Sequence, residues 1–266
     1  ANRALSGPIN IHCDHSDTMS VRDSGWIQIF SENSQEAYDN MIQAVRIGEH
    51  MDVRLPVMVT TDGFIISHGL EAISMLEDKE VQDFIGPYKA AYSLLDGGKP
   101  ITVGALDFTD FYFEHRRQTA QAMENGKKVI LEVGREFGEK FGRSYGFFEG
   151  YKLEDAEIAL VMLGSTAGTA RVAVDKLREA GVKCGLLKLR VFRPFPAVEL
   201  AEALKHLKAI AVMDRSDSLS TAGGPLFTEV RSALYDLPSR PAMVNYIYGL
   251  GGRDITVADL EGIYQE

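Results

Sequence analysis

The chain has 266 residues, 45% of them hydrophobic and 25% charged, a composition that excludes largely disordered and fibrous proteins. Acidic residues outnumber basic ones 38 to 28, and the resulting net charge of -10 disfavours nucleic acid and anionic membrane surfaces as partners. The length fits one large domain or two ordinary ones, and we favour two. The apolar runs are strand-length, too short to span a bilayer.

The cysteine content indicates the cellular compartment and limits the redox groups that the chain can bind. The two cysteines, Cys13 and Cys184, come with no secretory signal, which predicts a reducing cytoplasm. An iron–sulfur cluster needs several thiolates close together, so any cluster in this system must lie on another chain. Because the sequence opens with Ala1 rather than methionine, we expect a fragment of a longer protein.

The first 17 residues contain the strongest candidate for a ligand-binding side chain. Arg3 follows a probable strand end and precedes a Ser-Gly-Pro turn, and ligands of open α/β sheets bind beyond the carboxyl ends of strands. A planar guanidinium can donate two parallel hydrogen bonds to a carboxylate. The alternative is a surface arginine in a solvated ion pair.

A run of possible metal ligands follows at His12, Cys13, Asp14 and His15. These residue types bind zinc, but their spacing is poor and no second cluster elsewhere in the sequence completes a site. We favour the alternative, in which these side chains bond to loop backbone groups, and predict no metal. Nucleophilic catalysis by Cys13 is also not supported, because adjacency in sequence does not orient a thiolate against a base.

The next segments predict half of a doubly wound domain. Trp26 to Phe30 and Leu55 to Thr61 are predicted strands, and Asn33 with Glu36 is typical of the start of the helix between them. So small a sheet needs further chain or a partner to cover its edge. Residues 63–100 are predicted to be a surface excursion, and Phe108 to Phe141 a long helix.

From Tyr151 onward, short apolar runs alternate with helical patterns, which predicts a parallel sheet covered on both faces. The predicted strands are Glu157 to Leu163, Lys183 to Leu189, Ala209 to Asp214 and Ala242 to Tyr248. Thr256 with Asp259 predicts the start of the last helix.

Three loops of this half contain glycine and polar residues. Gly164 to Thr169 could hold an anion on its backbone N–H groups, but without a phosphate-binding motif a plain strand-to-helix turn is favoured. The loop from Tyr246 to Ile255 is interpreted as structural. Asp214 to Asp217 with Ala222 to Pro225 predicts either a loop over a neighbouring subunit or a solvated connector.

Several strings taken together are far more specific than any single motif. They are ANRALSGPINIHCDHSD, GWIQIFSENSQEAYDN, LPVMVTTDGFIISH, VMLGSTAGTA, LLKLRVFRPFP, DRSDS, GGPLFTEVRSALYDLP and YIYGLGGRDIT. In this order, and over essentially the whole chain, they resemble the alpha subunit of the pyruvate:ferredoxin oxidoreductase family.

The resemblance implies an α/β fold in which an incomplete doubly wound thiamine-diphosphate-binding (pyrimidine-side) domain precedes a transketolase C-terminal-like parallel α/β domain. We expect the latter part of the first domain with its surface excursion over 1–105, a linking helix over 106–150 and the second domain over 151–266.

The resemblance also implies site residues. Arg3 would contact the carboxylate of a 2-oxoacid, and the loop from Ser6 to Ile11 would line or border the substrate pocket. The family's threonine motif and the glutamate that protonates the aminopyrimidine would both lie upstream of Ala1, so the fragment alone is expected to be inactive.

The implied activity is reversible, thiamine-dependent oxidative decarboxylation of pyruvate to acetyl-CoA and carbon dioxide, with electrons passed to ferredoxin. Thiamine diphosphate and Mg²⁺ would be held mainly by a beta subunit, and iron–sulfur clusters by other chains among the beta, gamma and delta subunits. Coenzyme A would be the co-substrate. Two alternatives stay open, namely an oxidoreductase for 2-oxoglutarate, branched-chain 2-oxoacids or oxalate, and a non-catalytic assembly module.

Overall fold

The structure is a computed structural model that describes residues 1–5 and 7–266. None of the helices in these ranges combines the length and the apolarity needed to cross a bilayer. In chain order the strands are β1 Ile27–Phe30, β2 Val57–Thr60, β3 Phe148–Tyr151, β4 Ile158–Leu163, β5 Cys184–Leu189, β6 Val191–Arg193, β7 Ala209–Asp214 and β8 Ala242–Ile247. The helices are α1 Ser16–Ser20, α2 Ser34–Glu49, α3 Asp78–Ile85, α4 Tyr112–Phe141, α5 Thr166–Glu179, α6 Ala197–Leu204, α7 Pro225–Leu234 and α8 Val257–Gln265.

The smaller sheet has the order β2-β1-β6, with β1 parallel to β2 and antiparallel to β6. Both predicted strands are confirmed, as is the helix start at Asn33, whose side chain accepts a hydrogen bond from the Glu36 backbone N–H. The sequence did not predict that β6 would join this sheet, because three residues are too few to show a period. Asn2 extends the sheet through an isolated parallel bridge to Asp62.

The larger sheet has the order β3-β5-β4-β7-β8, and all its pairs are parallel except the one between β3 and β5. Helices α6 and α7 cover one face and α5 and α8 the other. The four predicted strands and the helix start at Thr256 are confirmed, the last by a capping box with Asp259. The antiparallel edge strand β3 was missed because its four residues, FEGY, neither alternate nor form an apolar run.

The two sheets meet through a buried polar side of α2. Its buried polar residues are Glu36, Asp39, Asn40 and Gln43. Lys188 Nζ lies 3.1 Å from Glu36 Oε2, and Arg190 Nε donates to Asn40 Oδ1 at 2.8 Å. Because buried polar groups are costly unless bonded, these bonds fix the orientation of one sheet relative to the other.

Residues 63–111 form an excursion with little regular structure. Its one helix, α3, buries Phe84 against Phe137 of α4, at 5.3 Å between ring centroids. Elsewhere in the excursion large apolar side chains face outward, including Leu95 at 94% exposure and Leu106 at 81%. The predicted long helix is confirmed as α4, although it begins at Tyr112.

Candidate functional site

The carboxyl ends of strands from both sheets meet at one place. Asp62 follows β2, Ser165 follows β4, and Arg215 follows β7. The described part of the N-terminal loop, residues 1–5 and 7–15, contacts these ends: His15 N donates to Arg215 O, and Gly252 N donates to Cys13 O, both at 2.8 Å. The loop in which we predicted a ligand site is therefore held between the two halves of the chain.

A buried group that we call the Asp62 cluster, consisting of Asp62, His15, Ser165 and Arg215, forms the centre of this junction. Ser165 donates its backbone N–H at 2.9 Å and its hydroxyl at 2.5 Å to Asp62 Oδ2. His15 Nε2 lies 2.7 Å from Asp62 Oδ1, and Arg215 Nη1 lies 3.3 Å from Oδ2. Each charged or polar member other than the half-buried Ser165 is at most 5% exposed.

The electrostatics of the Asp62 cluster favour an ionised carboxylate. Burial by itself would raise the pKa of Asp62, but the electrostatic interaction and hydrogen bond with His15 oppose it, together with the Arg215 guanidinium and the Ser165 hydroxyl. The pKa of Asp62 is therefore held well below its ordinary value.

The possible anion-binding turn at Gly164 to Thr169 is occupied by the chain itself. The Ser165 N–H and hydroxyl that could hold a ligand anion both bond to Asp62, and Thr166 Oγ1 accepts from the Tyr248 hydroxyl at 3.0 Å. The favoured interpretation, a structural turn, agrees with these contacts.

Arg3 lies against Gly63 and Phe64, just after β2, and is half-buried. Its backbone N–H donates to Asp17 Oδ2 at 2.9 Å, and its Nη1 donates to the Asn2 carbonyl at 3.0 Å. Among residues 1–5 and 7–266, no carboxylate oxygen lies within 4.0 Å of the Arg3 guanidinium nitrogens. Within the described residues the guanidinium therefore has no acidic partner, and its planar fork is suited to a carboxylate of another molecule.

Ser6 and Ile11 are the other two predicted substrate-binding residues. Ser6 lies outside the described residues. Ile11 is 58% exposed, and on the same loop Leu5 is 57% exposed and Ile9 91%. The N-terminal loop thus carries three exposed aliphatic side chains in the residues that follow Arg3.

Of the run of possible metal ligands, the structure separates His12 and Asp14 from Cys13 and His15. Cys13, His15 and Asp62 are buried, and their ligand atoms lie within 4.8 Å of one another, so a third residue distant in sequence joins the two. Asp14 instead accepts from the Ser16 N–H at 3.0 Å, as expected for a loop-stabilising side chain.

The Cys13, His15 and Asp62 group does not suit a metal ion. Burial raises the pKa of the Cys13 thiol to about 12, whereas a zinc ligand must be a thiolate. Both Asp62 oxygens are already bonded, and a guanidinium lies 3.3 Å away. Within the described residues no fourth ligand joins the group, and one carboxylate is a poor match for Mg²⁺.

The remaining glycine and polar loops have structural contacts. The Asp214 carboxylate accepts from the Leu226 and Phe227 backbone N–H groups at 2.7 and 3.0 Å and so caps α7. Burial raises the pKa of Asp214 to about 6. Gly252, at φ +82°, lies against His12, which agrees with the structural interpretation of its loop.

Sequence reasoning missed the residues at the end of β2. Asp62 centres the buried cluster, Gly63 lies where a Cβ would fall 1.6 Å from Arg3 Nη1, and the Phe64 ring lies 4.7 Å from Arg3 Cζ. The available signal was the Asp-Gly pair directly after a predicted strand, since strand ends are where open α/β sheets bind ligands.

Protein families that match the chain cover both halves. Residues 1–135 match the family described as pyruvate flavodoxin/ferredoxin oxidoreductase, thiamine diP-bdg, and residues 156–260 match pyruvate:ferredoxin oxidoreductase core domain II. The predicted fold class, an α/β thiamine-binding domain followed by a second α/β domain, is confirmed.

Curated relatives match over the full length of the chain. Pyruvate synthase subunit PorA of Thermotoga maritima is 54% identical over 265 residues, 100% of this chain and 67% of that protein. Ketoisovalerate oxidoreductase subunit VorA of Pyrococcus abyssi is 45% identical over 266 residues, with the same coverage. The chain thus spans about two thirds of the length of these relatives.

One solved structure supports the fold. The 2-oxoglutarate:ferredoxin oxidoreductase from Magnetococcus marinus, with 2-oxoglutarate, coenzyme A and succinyl-CoA bound, aligns at a TM-score of 0.55. The identity is 13%, and the alignment covers 90% of this chain and 42% of that one. At this identity the similarity concerns the fold alone.

Proposed function

The chain belongs to the pyruvate:ferredoxin oxidoreductase family, with the sequence of an alpha subunit, and we propose that its Arg3 binds the carboxylate of pyruvate in an active site shared with partner subunits. The reaction is the thiamine-dependent oxidative decarboxylation of pyruvate to acetyl-CoA, which is reversible. The observation that carries this proposal is a half-buried guanidinium without an acidic partner among the described residues, at the strand ends where both sheets meet.

The role of Arg3 follows from its contacts. Arg3 Nη1 donates to the Asn2 carbonyl oxygen at 3.0 Å, and this bond holds the guanidinium in place. The remaining N–H groups can donate in parallel to the two oxygens of a carboxylate. Holding that carboxylate orients the neighbouring keto carbon for attack. The exposed Leu5, Ile9 and Ile11 would exclude water from the pocket once a partner covers them.

Thiamine diphosphate, when bound, supplies the carbon nucleophile and the electron sink of the reaction. We propose that its diphosphate and Mg²⁺ are held on a beta subunit, because the single acidic side chain in the ligand group here, Asp62, is already bonded to Ser165, His15 and Arg215. The iron–sulfur clusters belong on partner chains for a similar reason, since Cys13 and Cys184 are both buried and cannot supply a cluster.

We further propose that the chain assembles with beta, gamma and delta subunits in the cytoplasm, uses coenzyme A as co-substrate and passes electrons to ferredoxin. The relatives' designation as subunits supports an assembly, and so do the outward apolar side chains of residues 63–111. Residues 1–105, 106–150 and 151–266 are proposed as the first domain, the linking helix and the second domain. These 266 residues alone would be inactive.

Kinetics of the complete enzyme, in which a full-length alpha subunit is assembled with its partner subunits, tests the role of Arg3. Arg3→Ala should raise the KM for pyruvate about 10- to 150-fold, the equivalent of losing a charged hydrogen bond of roughly 1.5 to 3 kcal/mol. The KM of Arg3→Lys should lie between those of the wild type and Arg3→Ala. Arg117, an exposed arginine of α4 whose Nη2 donates to Gln121 Oε1, provides the control Arg117→Ala. An unchanged KM in Arg3→Ala would remove Arg3 from the site.

A different 2-oxoacid is the second candidate, because a ketoisovalerate oxidoreductase subunit is 45% identical over the whole chain. Comparing kcat/KM for pyruvate, 2-oxoisovalerate, 2-oxoglutarate and oxalate separates these substrates. The assembly-module alternative would be supported if partner subunits bound but thiamine diphosphate failed to stabilise the complex.

A further inference from the structure

Phe64 combines an unusual backbone with an unusual position. Its φ of +62° is in the left-handed region, which favours glycine over residues with a Cβ. Its side chain is half-buried and belongs to none of the three apolar core clusters of the described chain. Core packing therefore does not explain why a phenylalanine holds this conformation.

The Phe64 ring lies at the centre of a small aromatic group beside Arg3. Arg3 Cζ is 4.7 Å from the ring centroid. The His68 ring stacks on Phe64 at 4.4 Å with an interplanar angle of 26°, and the His12 ring packs at 4.7 Å with an angle of 41°. Ser67 Oγ in turn lies 2.8 Å from His68 Nδ1, so the stacked imidazole is itself held.

The backbone of this turn is arranged around the same contact. Gly63 permits the close approach of Arg3, because a Cβ there would fall 1.6 Å from Nη1 and 2.3 Å from the Asn2 carbonyl oxygen. The Phe64 N–H donates to Ser67 Oγ at 3.0 Å, and the Ile66 N–H donates to Asp62 O at 2.9 Å. These bonds hold the ring against the guanidinium.

We propose that Phe64 is a positioning residue for Arg3, and that His68 supports the Phe64 ring by stacking on it. A cation held over an aromatic face is attracted to the ring, while its in-plane N–H groups stay free to bond a carboxylate. This inference rests on the proposed function of Arg3 and adds a reason why its guanidinium, which has no acidic partner among the described residues, keeps one orientation. Phe64 acts through Arg3 and need not touch the substrate.

The test uses the enzyme assembled with its partner subunits and pyruvate as the ligand. Phe64→Leu keeps an apolar side chain but removes the aromatic face, so the KM for pyruvate should rise roughly two- to tenfold while kcat changes less, because the lost interaction acts on binding. Phe64→Tyr, which restores a ring, should give a KM nearer the wild-type value. Phe113, an exposed phenylalanine of α4, supplies the control Phe113→Leu.

A double-mutant cycle separates positioning from general damage. If Phe64 acts through Arg3, the change Phe64→Leu should have no further effect on the KM of Arg3→Ala. Equal effects of Phe64→Leu in both backgrounds would overturn the proposal. If Arg3→Ala itself leaves the KM unchanged, the proposed function fails, whereas a large effect of Arg3→Ala with none from Phe64→Leu overturns this inference alone.

Two further variants guard against a folding failure. Phe64→Gly accepts a φ of +62° without strain, so it should fold and still show the raised KM. His68→Ala removes the stacked ring and should raise the KM by a smaller factor. A Phe64→Gly enzyme with wild-type KM would contradict the proposal.

Discussion

Ser165 donates both its backbone N–H and its hydroxyl to the Asp62 carboxylate, at 2.9 and 2.5 Å, and so joins the end of β4 to the end of β2. The same carboxylate meets His15 of the N-terminal loop and Arg215 after β7. One side chain thus fixes the relative positions of two sheets and of the loop that presents Arg3.

Asp62→Asn should lower the free energy of unfolding by roughly 3 to 5 kcal/mol, because it leaves the Arg215 guanidinium buried without a charge partner. Urea unfolding measured by circular dichroism gives this difference. Since the pKa of Asp62 is held below its ordinary value, the stabilisation is fully present above about pH 4 and is lost as the pH falls below it. Asp83→Asn, which removes an exposed i,i+4 partner of Lys79, is the control, and equal losses in the two variants would contradict the role of Asp62.

Gly63→Ala should both destabilise the chain and displace Arg3. The new Cβ would lie 1.6 Å from Arg3 Nη1 and 2.3 Å from the Asn2 carbonyl oxygen, and overpacking of this kind costs roughly 1 to 3 kcal/mol. Thermal unfolding of the chain and the KM of the assembled enzyme report the two effects. At Gly97 an added Cβ meets no atom within 4 Å, so Gly97→Ala should change neither; a Gly63→Ala variant that matched it would show the close approach to be unimportant.

Asp214 should titrate near pH 6, because burial raises its pKa to about 6 despite hydrogen bonds from the Leu226 and Phe227 backbone N–H groups and Asn245. Between about pH 4 and pH 6 the unfolded chain has lost a proton that the folded chain retains. The contribution of this group to stability therefore falls as the pH rises through that window. Carboxyl carbon NMR, with Asp214→Asn to assign the signal, measures the titration midpoint of Asp214. A midpoint near pH 4 would show that burial does not raise its pKa.

Both thiols should resist alkylation in the folded chain. Cys13 is 1% exposed and Cys184 is fully buried, and burial raises the pKa of Cys13 to about 12, so little thiolate is available at pH 8. Mass spectrometry after iodoacetamide treatment should show no adduct on the native chain and two adducts in denaturant. Rapid labelling of Cys13 in the native chain would mean that the N-terminal loop opens.

The sequence predicted those elements whose pattern is complete within a short window. The buried run of β4 and the capping pair Thr256 and Asp259 are examples, because each is fixed by neighbouring residues. β3 and β6 were missed because an edge strand of four residues and a strand of three show no period.

In the candidate site, too, the sequence identified some residues and missed others. Arg3 could be singled out from its own chemistry, its position after a strand end and the family resemblance. The Asp62 cluster and the contact between Phe64 and Arg3 could not, because their members are distant along the chain, as Asp62 and Arg215 are at 153 residues apart, and meet only in the folded structure.

A structure of the assembled enzyme with pyruvate bound would show which side chain holds the substrate carboxylate. We expect two Arg3 guanidinium nitrogens at about 2.7 to 2.9 Å from the two carboxylate oxygens, with the Phe64 ring still against the guanidinium. A pyruvate carboxylate held by other residues, with Arg3 directed into solvent, would contradict it.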